Sequence, residues 1–155
     1  MKENKPKSIK TIGLLVSLLA GFIIFSNSMG LFAWNFNDFA PELKDSNQVA
    51  KDPFSFLIFH YSEMCLTMIA LGVCFLIGGI FIRKYQLWAS RLVSIVSVLL
   101  ILIIVFVTVA LSVMLAAQGQ LPLIAFAVFG ALVWATPIFL LIRFLNRAKI
   151  KKHFV

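Results

Sequence analysis

The sequence predicts an all-α membrane protein: a four-transmembrane-helix, up-down antiparallel bundle with its N and C termini cytoplasmic. Three observations carry that expectation. Of the 155 residues, 61% are apolar and only 13% are charged, against roughly 25% charged in an ordinary soluble domain. Four apolar runs each exceed the roughly 20 helical residues needed to cross the hydrocarbon of a bilayer. The basic residues gather at alternate ends of those runs, as the positive-inside rule requires. A soluble helical bundle would need a polar face on every helix, and none of the four runs has one. Residues 1–155 are therefore read as a single integral membrane domain, too short to add a soluble module.

The first span runs from Ile12 to about Trp34 without a charge. A cleaved signal peptide would share its basic start, its apolar stretch from Ile12 to Phe25 and the small residues Ser28 and Gly30. The apolar character continues to Trp34, beyond a typical h-region, which favours a retained span. The second span, about Phe54 to Ile82, is charge-free except for Glu63. Asp52 followed by Pro53 reads as an N-cap with proline at the first helical position. The third span runs from Leu92 to about Ala117, and the fourth from Leu121 to Ile142. Gln118-Gly119-Gln120 is a tight connection between them. Pro122 suits a first turn, and Pro137 removes a backbone hydrogen bond within the fourth span and is expected to kink it.

Orientation follows from charge. The first ten residues carry a net of +3, the segment with Arg83, Lys84 and Arg91 carries +3, and Arg143, Arg147, Lys149, Lys151 and Lys152 add +5. The segment between spans one and two carries −2, and the connection between spans three and four carries none; Glu63 completes the formal charge of +8. All three basic clusters fall on one side of a four-span arrangement, which makes both termini cytoplasmic and the cell (inner or plasma) membrane the expected location. The same bookkeeping argues against nucleic acid as a partner, because the cations are spent on orientation rather than gathered into one footprint. Phe36, Phe39, Phe54, Phe56, Phe59 and Tyr61 join Trp34 near the outer interface, and Tyr85 and Trp88 stand at the inner one, as aromatic belts do. Residues 35–53 form the only sizeable external loop.

Small or weakly polar residues recur along each span: Gly13, Ser17 and Gly21; His60, Glu63, Thr67, Ala70, Cys74 and Gly78; Ser90, Ser94 and Ser97, then Thr108, Ser112 and Ala116; Ala127, Ala131 and Ala135. Small residues let helix backbones approach closely in lipid. The stripes serve packing within the bundle or contact with other subunits, and the sequence leaves both open. Cys65 and Cys74 lie about 13 Å apart along one helix, beyond disulfide reach, and match no zinc or redox spacing.

Chemistry has one candidate place. Glu63 is the only carboxylate inside an apolar run, and an ionisable residue in a span marks a site by default. His60 precedes it by one helical turn. Asn27, Ser28, Thr108 and Ser112 would complete a polar pocket opening outward. Against this stands a plainer reading, in which Glu63, about 15 Å from the start of a long helix, meets headgroup water and only pairs locally. Two ligands at i and i+3 fall short of a catalytic zinc site, and His153 belongs to the opposite side. No phosphate-binding glycine loop is present, so no metal or cofactor is expected. The basic tail with Ile150, Phe154 and Val155 reads as a topology anchor or as a holder of anionic headgroups.

Three functions follow. The first is a non-enzymatic association or accessory membrane protein, whose partners are the lipid bilayer and either further copies of itself, as a homo-oligomer, or a larger membrane complex. The second is a small oligomeric transporter using Glu63 as a proton or cation site. The third is a membrane-embedded enzyme acting on a lipid through His60 and Glu63. A cavity ringed by Asn27, His60, Glu63 and Ser112 would favour the second and third; a Glu63 facing outward would favour the first.

Overall fold

The computed structural model describes residues 7–36, 52–147, 150 and 154, and all its regular structure is helical. Five helices follow in order: α1 (Lys7–Phe36), α2 (Pro53–Phe59), α3 (Tyr61–Arg83), α4 (Leu87–Ala117) and α5 (Leu121–Leu145). Four of them, α1, α3, α4 and α5, are long and apolar enough to cross a membrane. Most of the external loop, the basic positions before Lys7 and the tail positions Lys149, Lys151, Lys152 and His153 lie outside the described residues. The helices outrun the apolar segments that foretell them. The 30 residues of α1 and 31 of α4 each extend about 45 Å, the thickness of a bilayer with its headgroups. Helical hydrogen bonding continues through Lys10 and Arg91 because a basic side chain at headgroup level is solvated without ending the helix.

The helix ends are built from local hydrogen bonds. Asp52 is extended and its carboxylate accepts from the Phe54 and Ser55 amides, both at 2.9 Å, with Pro53 in the first turn. This is the N-cap read from the sequence. The expected continuous second span is interrupted at His60, whose backbone (φ −105°, ψ 27°) separates α2 from α3. Helical bonds persist on either side, from the His60 amide to the Phe56 carbonyl and from the Met64 amide to the His60 carbonyl. The interruption is one residue of non-helical backbone within a continuing ladder of helical bonds, so hydropathy does not register it.

Both α3 and α4 end in Schellman motifs. After α3, the Tyr85 amide bonds the Ile82 carbonyl and the Gln86 amide reaches back to the Phe81 carbonyl. After α4, Gly119 bonds Ala116 and Gln120 bonds Leu115 in the same way. Gly119 adopts φ 71°, which glycine permits freely; Tyr85 adopts φ 61°, at a cost of roughly 1–2 kcal/mol for an L side chain. Tyr85 is only 5% exposed, so burial offsets that cost.

Close packing centres on α1 and α3. The buried positions of α1 are Ile9, Gly13, Val16, Ala20 and Ile23, and those of α3 include Cys65, Gly72, Phe75, Gly79 and Ile82. Both sets advance by threes and fours in the manner of a coiled-coil seam. Gly13 and Gly79 meet reciprocally. A Cβ added at Gly13 would sit 2.7 Å from the Gly79 carbonyl oxygen, and one at Gly79 would sit 2.9 Å from that of Gly13. Further along, Gly72 faces Ala20 and Ile24, and Gly30 faces Tyr61 and Cys65. Gly21, expected to share this contact with Gly13 and Ser17, is exposed with open space beside it. Steps of four drift round a helix, whereas the seam keeps a mean step of 3.5, so Ala20 takes the place assigned to Gly21.

On its other side α3 receives α4, with Gly78 against Val93 and Ala89. The shared apolar cluster holds Phe75, Ile82, Tyr85, Ala89, Val93, Val96 and Leu100. Phe154 is buried in the same cluster. Helix α5 is packed least. Only 6% of its most apolar window is buried, against 33% for α3, and Ile138 and Leu145 are its buried residues.

Candidate functional site

The loosest part of the structure lies between α1 and α5. Two apolar cavities open there, of about 590 Å³ and 470 Å³. They adjoin, because Leu19, Trp134 and Ile138 line both. The indole of Trp134 stacks with Phe22 at 6.2 Å between centroids, nearly parallel at 13°. This pair bridges the two helices where few other contacts do.

The larger cavity runs between Ile12, Leu15 and Val16 of α1 and Pro137, Leu141 and Phe144 of α5. Arg143 and Arg147 stand on its wall. Arg143 lies in the last turn of α5 and Arg147 just past its C-cap, Asn146, and both are exposed. The smaller cavity extends from Leu19, Trp134 and Ile138 toward the Phe36 end of α1, with walls from four helices. Asn27 and Ser26 of α1, Met64 and Met68 of α3, and Thr108 of α4 contribute to its wall.

Of the residues proposed from the sequence, Asn27 and Thr108 reach this smaller cavity, while His60, Glu63 and Ser112 are not on its wall. His60 is exposed, with its ring stacked on Phe56 at 4.3 Å and Nδ1 3.1 Å from the Phe56 carbonyl oxygen. Glu63 is exposed in the first turn of α3. There the helix dipole favours a negative charge. Ser112 is half-buried on α4, and Ser28 is exposed on α1. The polar side chains of the apolar helices are largely satisfied within their own turns. Asn27 Nδ2 donates to the Ile23 carbonyl (2.8 Å), Thr108 to Ile104 (2.7 Å), Thr67 to Glu63 (2.8 Å) and Ser17 to Gly13 (2.9 Å). Such back-bonding spends the donor on the helix itself. A hydroxyl used this way has its proton committed to its own helix.

Among the described residues no three His, Cys, Asp or Glu side chains come together as a metal site. Cys65 is buried and Cys74 half-buried, and both are free thiols. The sequence assigns Arg143 and Arg147 to orientation or, with the rest of the basic tail, to anionic headgroups; it gives Pro137 only a kink and gives Trp134 no role. The available signal was Trp134 itself. It lies about 14 Å of helix from Arg143, deep in the span rather than in the interfacial belt that tryptophan favours.

No protein-family model, curated protein or solved structure matches the chain.

Proposed function

We propose that this chain is a four-span protein of the cell membrane whose role is association: a non-enzymatic accessory protein that joins further copies of itself or a larger membrane complex. The observation that carries the reading is the failure of the polar residues to converge. The cavity that holds Asn27 has neither His60 nor Glu63 on its wall, so it has no titratable group from that pair, and its Asn27 amide and Ser26 and Thr108 hydroxyls are bonded to their own helices. The incomplete cover of α5 supports the same reading, because a helix with two buried residues presents most of its surface for contact. Apolar outward-facing helix surfaces of this kind associate through packing in lipid.

The reading includes an up-down antiparallel bundle with both ends cytoplasmic. The side-by-side placement of Gly13 with Arg83 and of Gly30 with Tyr61 supports opposed directions for α1 and α3. Short connections favour the same relation for α3 with α4 and α4 with α5. The basic clusters set the sides. Extraction in a mild detergent followed by cross-linking is expected to return a defined oligomer or complex, and reporter fusions at both ends are expected to read cytoplasmic. A strictly monomeric, partner-free species would remove the association role.

A further inference from the structure

The larger cavity has the form of a slot for a lipid chain with a charged mouth. Its interior is apolar from Leu19 to Phe144, and its polar lining is supplied at one end by Arg143 and Arg147. From Trp134, where the slot meets the second cavity, to Arg143 is about 14 Å of helix. That is close to the roughly 15 Å depth of one leaflet's hydrocarbon. The acidic side chains among the described residues, Asp52 and Glu63, sit at the starts of α2 and α3, beside the Gly30 end of α1 rather than the Ile12 end. Neither is placed to neutralise the arginines. Two guanidinium groups on one cavity wall match phosphate oxygens in charge, and each has the planar fork that phosphate accepts.

We propose that this crevice binds one anionic phospholipid, with an acyl chain lying between α1 and α5 and its phosphate held by Arg143 and Arg147. The ligand closes the gap that the helices leave and supplies the counter-charge at the mouth. The proposal rests on the membrane-spanning reading above but not on the association role. Pro137 and Phe144 form part of the chain-binding wall, and the Phe22–Trp134 pair marks its deep end.

Trp134 provides the test. The full chain with Trp34→Phe and Trp88→Phe keeps Trp134 as its sole tryptophan. It is reconstituted in vesicles of phosphatidylcholine containing small fractions of phosphatidylglycerol or phosphatidylcholine brominated along the acyl chains. Two basic groups at headgroup level predict that brominated phosphatidylglycerol quenches Trp134 with about tenfold higher apparent affinity than its zwitterionic counterpart. Arg143→Gln with Arg147→Gln should abolish that preference. Lys84→Gln with Arg91→Gln removes equal charge from residues outside the slot and should leave it intact. Equal quenching by both lipids overturns the proposal while leaving the membrane-spanning reading in place. A preference lost equally in both double variants shows general surface attraction and also overturns it. A cysteine at Leu140 that cross-links to a second copy, with no headgroup preference at Trp134, assigns the crevice to a protein partner instead. Absence of quenching by any brominated lipid defeats the membrane-spanning reading itself.

Discussion

Alanine at three positions of the packed helices should give three different answers. A Cβ at Gly79 meets the Ser17 hydroxyl at 2.6 Å and the Gly13 carbonyl at 2.9 Å, and a backbone oxygen does not move aside cheaply. Gly79→Ala is expected to lose about 1–3 kcal/mol, as overpacking does. Gly21→Ala enters open space on the outward face of α1 and should gain roughly 0.5–1 kcal/mol from helix propensity. Ser97 is fully buried, and its hydroxyl has no hydrogen-bond partner. Removing an unsatisfied buried group restores its desolvation cost, so Ser97→Ala should be neutral or stabilising. Thermal unfolding of the three variants in one mild detergent separates these outcomes, and a destabilised Ser97→Ala would contradict the packing described for α4. Glu63→Gln, at an exposed position, is expected to leave both stability and partner capture unchanged in the same preparations.

Helix ends provide the next set of expectations. The hydrogen bond from the Ser55 hydroxyl, first, and the Ser55 and Phe54 amides hold the Asp52 carboxyl below its ordinary range, against a small opposing effect of desolvation. A folded-state value below the unfolded one means that the cap contributes fully above the usual aspartate range. Its contribution fades as pH falls through the depressed value. Amide protection at Phe54 and Ser55 should therefore be constant near neutrality and decline in acid. Asp52→Asn should keep the cap and lose that dependence. Gly119→Ala tests the left-handed cap alone, since nothing lies near the added methyl; it should lose about 1–2 kcal/mol. Four apolar helices were legible because long uncharged runs have no alternative in water. Their true ends were not, since lysine and arginine mark where solvation begins and not where hydrogen bonding stops. The break at His60 was hidden because helical hydrogen bonding continues through it and no proline or glycine marks it. The buried faces were only partly legible: Gly13 and Gly21 look alike in a one-dimensional repeat, and a seam with a step of 3.5 admits one and turns the other outward. The same ambiguity affected the candidate site. Asn27 lines a cavity without the His60 and Glu63 expected beside it, and those two are exposed elsewhere.

At the scale of the molecule the packing is graded. The α1–α3 pair is joined through glycine contacts, α4 adds a layered apolar core, and α5 is attached by few buried side chains. Stability should follow that order, because local opening is easiest where few apolar contacts are broken. Hydrogen exchange in detergent is expected to be faster along α5 between Leu121 and Ala135 than along α3 between Gly72 and Ile82; equal protection would refute the gradation. The three-residue Gln118–Gly119–Gln120 link adds a consequence for biogenesis. In the proposed topology this link is the portion of the α4–α5 hairpin that must traverse the hydrocarbon during insertion, and it contains no ionised group. The hairpin can enter as a unit without carrying a charge through the bilayer's interior, and the membrane voltage exerts no force on that passage. The least tightly held helix of the folded protein is thereby delivered by a step that needs no electrical drive.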